Sequence, residues 1–235
     1  MPPRDSRGSS AFGSSGFSTF SQYIYDPDGG KGVNVYVLDT GIYTEHVEFE
    51  GRASSGTTFC GNDNDENGSG THNAGTIASK KYGVSTQANI ISVMVLNATG
   101  HGVSDDLIEC INWVIKDHQK SVNSNDASFK GSVAFLNSEG ISGAGNWDDI
   151  RSAISNASDA GIHLAAPTGK NSDACDSIAG PFKALSVGAS TIGDERAYFG
   201  SLRVWAKYSL RLLLCHNSLS RVTRYLHNLN PDLFA

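Results

Sequence analysis

Val35-Tyr36-Val37-Leu38-Asp39-Thr40-Gly41 is a short apolar run closed by an acid and a glycine turn. β-branched residues on both sides of Tyr36 predict a strand over 33–38, and the lack of polar alternation predicts that both its faces are buried. Strands buried on both faces belong to parallel sheets sandwiched between helices. Working outward, further strands are predicted at 90–96, 132–136, 162–166 and 185–189. Between them, helices are predicted at 72–79, 104–118 and 147–160. The second has Ser104 as its N-cap, Asp105 and Asp106 in its first turn, and apolar Leu107, Ile108, Ile111, Val114 and Ile115 on one face; the third stops before Gly161. Strands alternating with helices imply parallel βαβ units, and so an α/β doubly wound sheet with helices on both faces. In such sheets the working residues gather at the carboxyl ends of strands. Asp39 closes one.

The chain has 235 residues, 39% hydrophobic, with a formal net charge of −6. That size suffices for one large core, and no repeat or long linker divides it. Residues 1–32 are Ser/Gly-rich and read as an N-terminal arm, ended by the turn signal Asp28-Gly29-Gly30. Residues 201–235 carry Arg203, Lys207, Arg211, Arg221 and Arg224 against Asp232 alone. This sparse basic tail does not offset an acidic body, so no nucleic-acid partner is expected. No stretch reaches the ~18 consecutive apolar residues of a membrane span. No signal-peptide core appears near Met1, and nothing in the chain directs secretion. Cys60, Cys110, Cys175 and Cys215 are scattered, without Cys-x-x-Cys or zinc-like spacing. Sequons stand at Asn67, Asn97 and Asn156 and bear on glycosylation only in a secretory route.

Asp39 alone suits an ordinary turn or helix cap equally well. Asp-Thr-Gly also fits aspartic-protease chemistry, but that requires a second Asp-Thr/Ser-Gly or a symmetric dimer to share the proton. No second copy exists in the chain. A different partner lies about thirty residues on, in Gly68-Ser69-Gly70-Thr71-His72-Asn73-Ala74-Gly75. Its small residues allow a loop and helix to pack tightly on a sheet while presenting His72 to a cleft. A carboxylate that fixes an imidazole tautomer, beside an imidazole that accepts a proton, is two-thirds of a Ser-His-Asp triad. Asp39 and His72 are therefore expected within carboxylate to imidazole hydrogen-bond distance.

From about Gly32 to Phe199 the sequence resembles the subtilisin-like serine proteases, in particular their proteinase K and fungal vacuolar, cerevisin-type branch. The matching runs include Asp39-Thr40-Gly41-Ile42, His46-Val47-Glu48-Phe49-Glu50-Gly51-Arg52-Ala53, Gly70-Thr71-His72-Asn73-Ala74-Gly75-Thr76-Ile77-Ala78-Ser79, Lys81-Tyr82-Gly83-Val84, Asp159-Ala160-Gly161-Ile162-His163 and Ser186-Val187-Gly188-Ala189-Ser190-Thr191. The resemblance implies a subtilisin-like fold over 33–199, incomplete on its C-terminal side, and peptide-bond hydrolysis through an acyl-enzyme on serine. Asp39 would orient the base and His72 would be the base. Gly100-His101-Gly102 and Ser138-Glu139-Gly140 would form the two backbone edges that hold a peptide or protein substrate as an added strand. The oxyanion asparagine's register falls on Lys170, with Asn171 one step later. No metal or other cofactor is implied, since no carboxylate-rich oxygen cluster is evident around Ala174-Cys175-Asp176. A monomer is expected. Relatives are secreted or vacuolar, but the compartment of this chain is not assigned by its sequence.

The departures from the family pattern matter equally. Ser69 stands where relatives usually have His, and Asn73 where they have Cys. After Phe199 the resemblance stops, leaving 200–235 as a divergent tail, and Gly-Thr-Ser, the setting of the family's nucleophile, occurs nowhere. Such a break resembles a frame shift, retained intron or truncation. Within the tail, Leu212-Leu213-Leu214 and the basic spacing predict a short amphipathic helix. Losing the serine of such a triad costs on the order of 10⁶-fold in kcat, so no peptidase turnover is expected. The alternatives are a noncatalytic peptide-binding or decoy homologue, or a non-functional gene product.

Overall fold

The computed structural model describes residues 26, 28–62, 64–142, 147–167, 183–190 and the backbone of 210–213. Seven strands form one sheet: β1 (Val33–Asp39), β2 (Ala53–Thr58), β3 (Asn89–Met94), β5 (Gly131–Leu136), β7 (Ile162–Pro167), β8 (Ala184–Ser190) and β9 (Leu210–Leu213). Their order is β2-β3-β1-β5-β7-β8-β9, and every neighbouring pair is parallel. The short β4 (Gly102–Val103) and β6 (Ile141–Ser142) pair separately. The helices are α1 (Ser69–Ala78), α2 (Ser104–Asn123) and α3 (Trp147–Asp159).

Side-chain alternation along β1 assigns its two faces. Tyr36 and Leu38 point into a core shared with Leu107, Ile111 and Val114 of α2 and Ile150, Ile154 and Ala157 of α3. Val33, Val35 and Val37 point the other way, toward Ala74, Ile77 and Ala78 of α1 with Ile42 and Phe49. The period of two then puts Asp39 on the α1 face. The same rule applies on β5, where Ala134 and Leu136 join the first core and Val133 and Phe135 the second. Asn137 continues that second face. Sheet order also reverses at β1, because β3 lies on one side and the next main strand, β5, on the other. Its carboxyl end is therefore a topological switch point, where open α/β sheets form their crevice.

The doubly wound architecture agrees with the sequence expectation, and local details differ. Ser104 is the first helical residue of α2; Val103 occupies the N-cap and makes no side-chain cap bond. The extended Val103 belongs to β4, so the chain enters the helix straight from a strand. The polar run of β2 gave no hydrophobic signal, and its register shifts between Ser55 and Thr57. At that shift a Cβ on Gly56 would sit 2.8 Å from the Trp113 ring, so the residue there must be glycine. The Leu-rich run expected as an amphipathic helix is instead β9, parallel to β8. An isolated helix so short is marginal, whereas the outer edge of β8 offers a full ladder of backbone partners. Residues 1–25 and most of 200–235 lie outside the described residues.

Candidate active site

Asp39 is the last residue of β1 and is 0% exposed. Its neighbours follow from strand register: Asp39 pairs with Met94, while its carbonyl accepts from Val95 and Leu96. On the other side, the Asn137 backbone N–H donates to the Leu38 carbonyl at 2.9 Å. The buried carboxylate accepts the Thr40 backbone N–H on Oδ1 at 2.8 Å. Its Oδ2 accepts the Asn73 side-chain amide at 2.8 Å and that of Asn137 at 3.0 Å. Burial pushes the carboxyl above the ordinary carboxylate value, and hydrogen bonds from Asn73, Thr40, Asn137 and Ser69 offset only part of that rise.

Helix α1 reaches this end of the sheet because its first turn lacks side-chain bulk. A Cβ on Gly70 would lie 1.9 Å from the Gly41 carbonyl oxygen and 3.2 Å from the Asp39 Cβ. Gly41 itself sits at φ 100°, a left-handed conformation suited to glycine. The helix N-cap, Gly68, has no capping side chain, and Asp65 supplies one from upstream. Its Oδ1 accepts from Gly68 N–H at 2.7 Å and from the Thr40 hydroxyl at 2.8 Å; its Oδ2 accepts the Thr71 N–H at 2.9 Å and hydroxyl at 2.6 Å. Burial works against the Asp65 carboxylate, but the Thr71 hydroxyl and the other donors outweigh it and hold the group below its ordinary pKa. Thr40 completes the clamp, donating to Asp65 and accepting the Gly70 N–H at 3.1 Å.

His72 lies in the first turn of α1, on an exposed position, next to half-buried Asn73. The structure thus brings Asp39 and the His72 segment together at the carboxyl end of the sheet. The expected carboxylate to imidazole hydrogen bond is not among the bonds Asp39 makes; the amide of Asn73 stands on Oδ2 instead. Sequence reasoning flagged Asn73 only as a departure and missed Asn137, Asp65 and Thr40 as parts of the site. The spacing of Asp65 before Gly68-Ser69-Gly70-Thr71 was a usable capping signal.

The two expected substrate edges also meet. Gly102 N–H donates to the Gly140 carbonyl at 3.2 Å, and Gly102 and Val103 pair with Ile141 and Ser142. Gly140, at φ 86°, packs so closely that a Cβ would lie 2.0 Å from the Gly100 carbonyl oxygen. His101 turns its ring back onto Thr99, with Nδ1 3.0 Å from the Thr99 carbonyl. The Glu139 N–H bonds the Asn137 side-chain oxygen at 3.1 Å, tying the second edge to the Asp39 cluster, and Ser138 lies between them. Lys170 and Asn171 lie outside the described residues. Among the described residues no group of three or more His, Cys, Asp or Glu is placed to hold a metal, and no helix is long and apolar enough to cross a membrane.

The sequence matches the Subtilase family, peptidase S8, over residues 30–210. The chain belongs to this family. Among curated subtilases, it is 46% identical over 189 residues to subtilisin-like serine protease Pen ch 18 of Penicillium rubens, covering 79% of this chain and 37% of that protein. It is 45% identical over 193 residues to subtilisin-like protease 8 of Arthroderma benhamiae, covering 79% and 39%. Alkaline protease 2 of Aspergillus fumigatus is 43% identical over 193 residues, covering 79% and 38%. The chain thus spans about two-fifths of the length of these relatives. The solved structure of a cold adapted subtilisin-like serine proteinase superposes with a TM-score of 0.72 at 26% identity, over 91% of this chain and 81% of that one.

Proposed function

We propose that the protein derives from a serine endopeptidase that hydrolyses peptide bonds, with Asp39 and His72 as its orienting acid and general base, and that the 235-residue chain by itself performs no turnover. Its partial peptidase domain spans 33–199, and Gly100, His101, Gly102, Ser138, Glu139 and Gly140 form its peptide-contacting rim. Lys170 and Asn171 are its candidates for oxyanion contact. One observation carries the inactivity: the sequence contains Asp-Thr-Gly and Gly-Thr-His but no Gly-Thr-Ser. Acid and base only raise the reactivity of a hydroxyl and provide no acceptor for an acyl group.

Fluorophosphonate labelling tests this directly. The purified chain should remain unlabelled and leave casein intact. Stoichiometric labelling of folded protein, abolished by His72→Ala, would show that another serine serves. Saturable binding of a peptide without cleavage would favour the noncatalytic peptide-binding alternative.

A further inference from the structure

Asp39 has two oxygens to offer, and backbone and side-chain donors reach both. Oδ1 is held by the Thr40 N–H, and Oδ2 receives two side-chain amides, from Asn73 at 2.8 Å and Asn137 at 3.0 Å. A carboxylate oxygen has about two lone-pair sites, so the amides fill Oδ2. Their orientation is chemically fixed, because an ionised carboxylate only accepts and only the Nδ2 end of an amide donates. Backbone geometry brings each one there. Asn137 follows directly from β5, hydrogen-bonded to Leu38, and shares the Asp39 face by alternation. Asn73 lies one position beyond His72 on α1, and one helical residue corresponds to about 100° of rotation. The Asn73 amide, rather than the neighbouring His72 ring, is the group of this turn that reaches Oδ2, consistent with an exposed His72 and a half-buried Asn73.

We propose that Asn73 and Asn137 are positioning residues that hold Asp39 through Oδ2 and uncouple it from His72. This rests on the assignment of Asp39 and His72 as the acid and base of the family's reaction. In a working triad the carboxylate holds the imidazole Nδ1–H and so fixes its tautomer and direction. Here Oδ2, the oxygen that meets the α1 turn carrying His72, is occupied by donors from the protein itself. The chain consequently differs from a competent subtilase in two independent respects, the nucleophile and the partner of the acid. Supplying a serine segment repairs only the first. The second requires a residue at position 73 that leaves Oδ2 open.

NMR of the 235-residue chain, with histidine rings and asparagine side chains labelled with ¹⁵N, separates these effects. The parent should show no downfield, slowly exchanging ring N–H from His72. Asn73→Ala should produce one, and Asp39→Asn in that background should remove it. In the parent alone, which needs no variant to fold, the side-chain amide resonances of Asn73 and Asn137 should move together on acidification as Asp39 takes up its proton. A downfield His72 ring proton in the parent that depends on Asp39 would overturn the proposal. So would its absence from folded Asn73→Ala, or Asn73 and Asn137 amides that do not titrate together. None of these signals involves a serine or a peptide, so fluorophosphonate labelling of the parent would refute the proposed inactivity and leave this inference to its own test.

Discussion

A histidine stands at each end of the sheet, and the more triad-like contact is at the wrong end. At the amino ends of the strands, His118 of α2 is 5% exposed, with Nδ1 2.9 Å from the Ser132 hydroxyl and Nε2 3.0 Å from the Ala160 carbonyl. The carbonyl only accepts, so Nε2 carries the proton and Nδ1 accepts from Ser132. Distance alone would make this a serine activated by histidine. Ser132 is 0% exposed, however, and no substrate reaches it. At the carboxyl ends, His72 is exposed beside a fully buried acid whose partners are amides. A short Ser-His contact is thus a way to satisfy buried polar groups as readily as a way to activate one. Access and switch-point position separate the proposed site at Asp39 and His72 from the buried Ser132 and His118 pair.

The two ends are also held by different means, and this can be tested. The carboxyl end depends on backbone contact between α1 and the turn after β1. Gly70→Ala would drive a Cβ to 1.9 Å from the Gly41 oxygen, where backbone rather than a flexible side chain must move. We expect a loss of roughly 3 kcal/mol in denaturant unfolding, the upper end of overpacking costs. Ordinary stability in this variant would mean that α1 does not approach the sheet as described.

Asp65 holds the same end by hydrogen bonds, so its removal should cost less. Asp65→Ala leaves the Gly68 and Thr71 N–H groups and the Thr40 and Thr71 hydroxyls without this acceptor. About 1–2 kcal/mol is expected, the scale of a lost N-terminal cap. Because the folded pKa lies below the ordinary value of 3.8, the carboxylate's stabilisation is complete above that value and fades as pH falls through the lower folded one. The parent and variant unfolding curves should therefore converge in acid. A gap independent of pH would remove Asp65 from the capping role.

The amino end and core were legible in the sequence wherever apolar runs were uninterrupted. β1, β3, β5, β7 and β8 all fall within a residue or two of expectation, because burial on both faces demands continuous apolar residues. β2 was not legible. Its Ala53-Ser54-Ser55-Gly56-Thr57-Thr58 sequence becomes a strand through pairing with β3. β9 was misread because a leucine run suits helix and strand alike, and an available sheet edge decides between them. At the site, Asp39 and the His72 motif were visible as local patterns. The meeting of Asp39 with Asn137, ninety-eight positions away, depends on the β1 to β5 register. No local pattern encodes that contact.

The smallest expected effect sharpens the contrast at the buried histidine. Burial holds the His118 pKa below the ordinary 6.5, with the Ala160 carbonyl offsetting part of the shift. The unfolded chain then takes up a proton at a pH where the folded chain still excludes it. Stability from this residue is complete above 6.5 and declines as pH falls toward the lower folded value. Nearby, the Tyr36 hydroxyl donates to Asp117 at 3.0 Å, and Asp117 also lies 3.8 Å from Lys120. Burial likewise lowers His163, so the parent should lose stability over this range for two reasons. Only one is removed in His118→Gln. That variant keeps a donor for Ala160 and an acceptor for Ser132 but has no titrating ring. Its unfolding free energy should vary less between pH 7 and pH 5 than the parent's, by about a kcal/mol at most, since one pKa unit corresponds to ~1.4 kcal/mol. Fluorophosphonate reactivity should be unaffected. Parallel pH curves for variant and parent would mean that His118 protonates as readily in the folded protein as in the unfolded chain, and that the Ser132 contact is wet enough to serve as more than a structural tie.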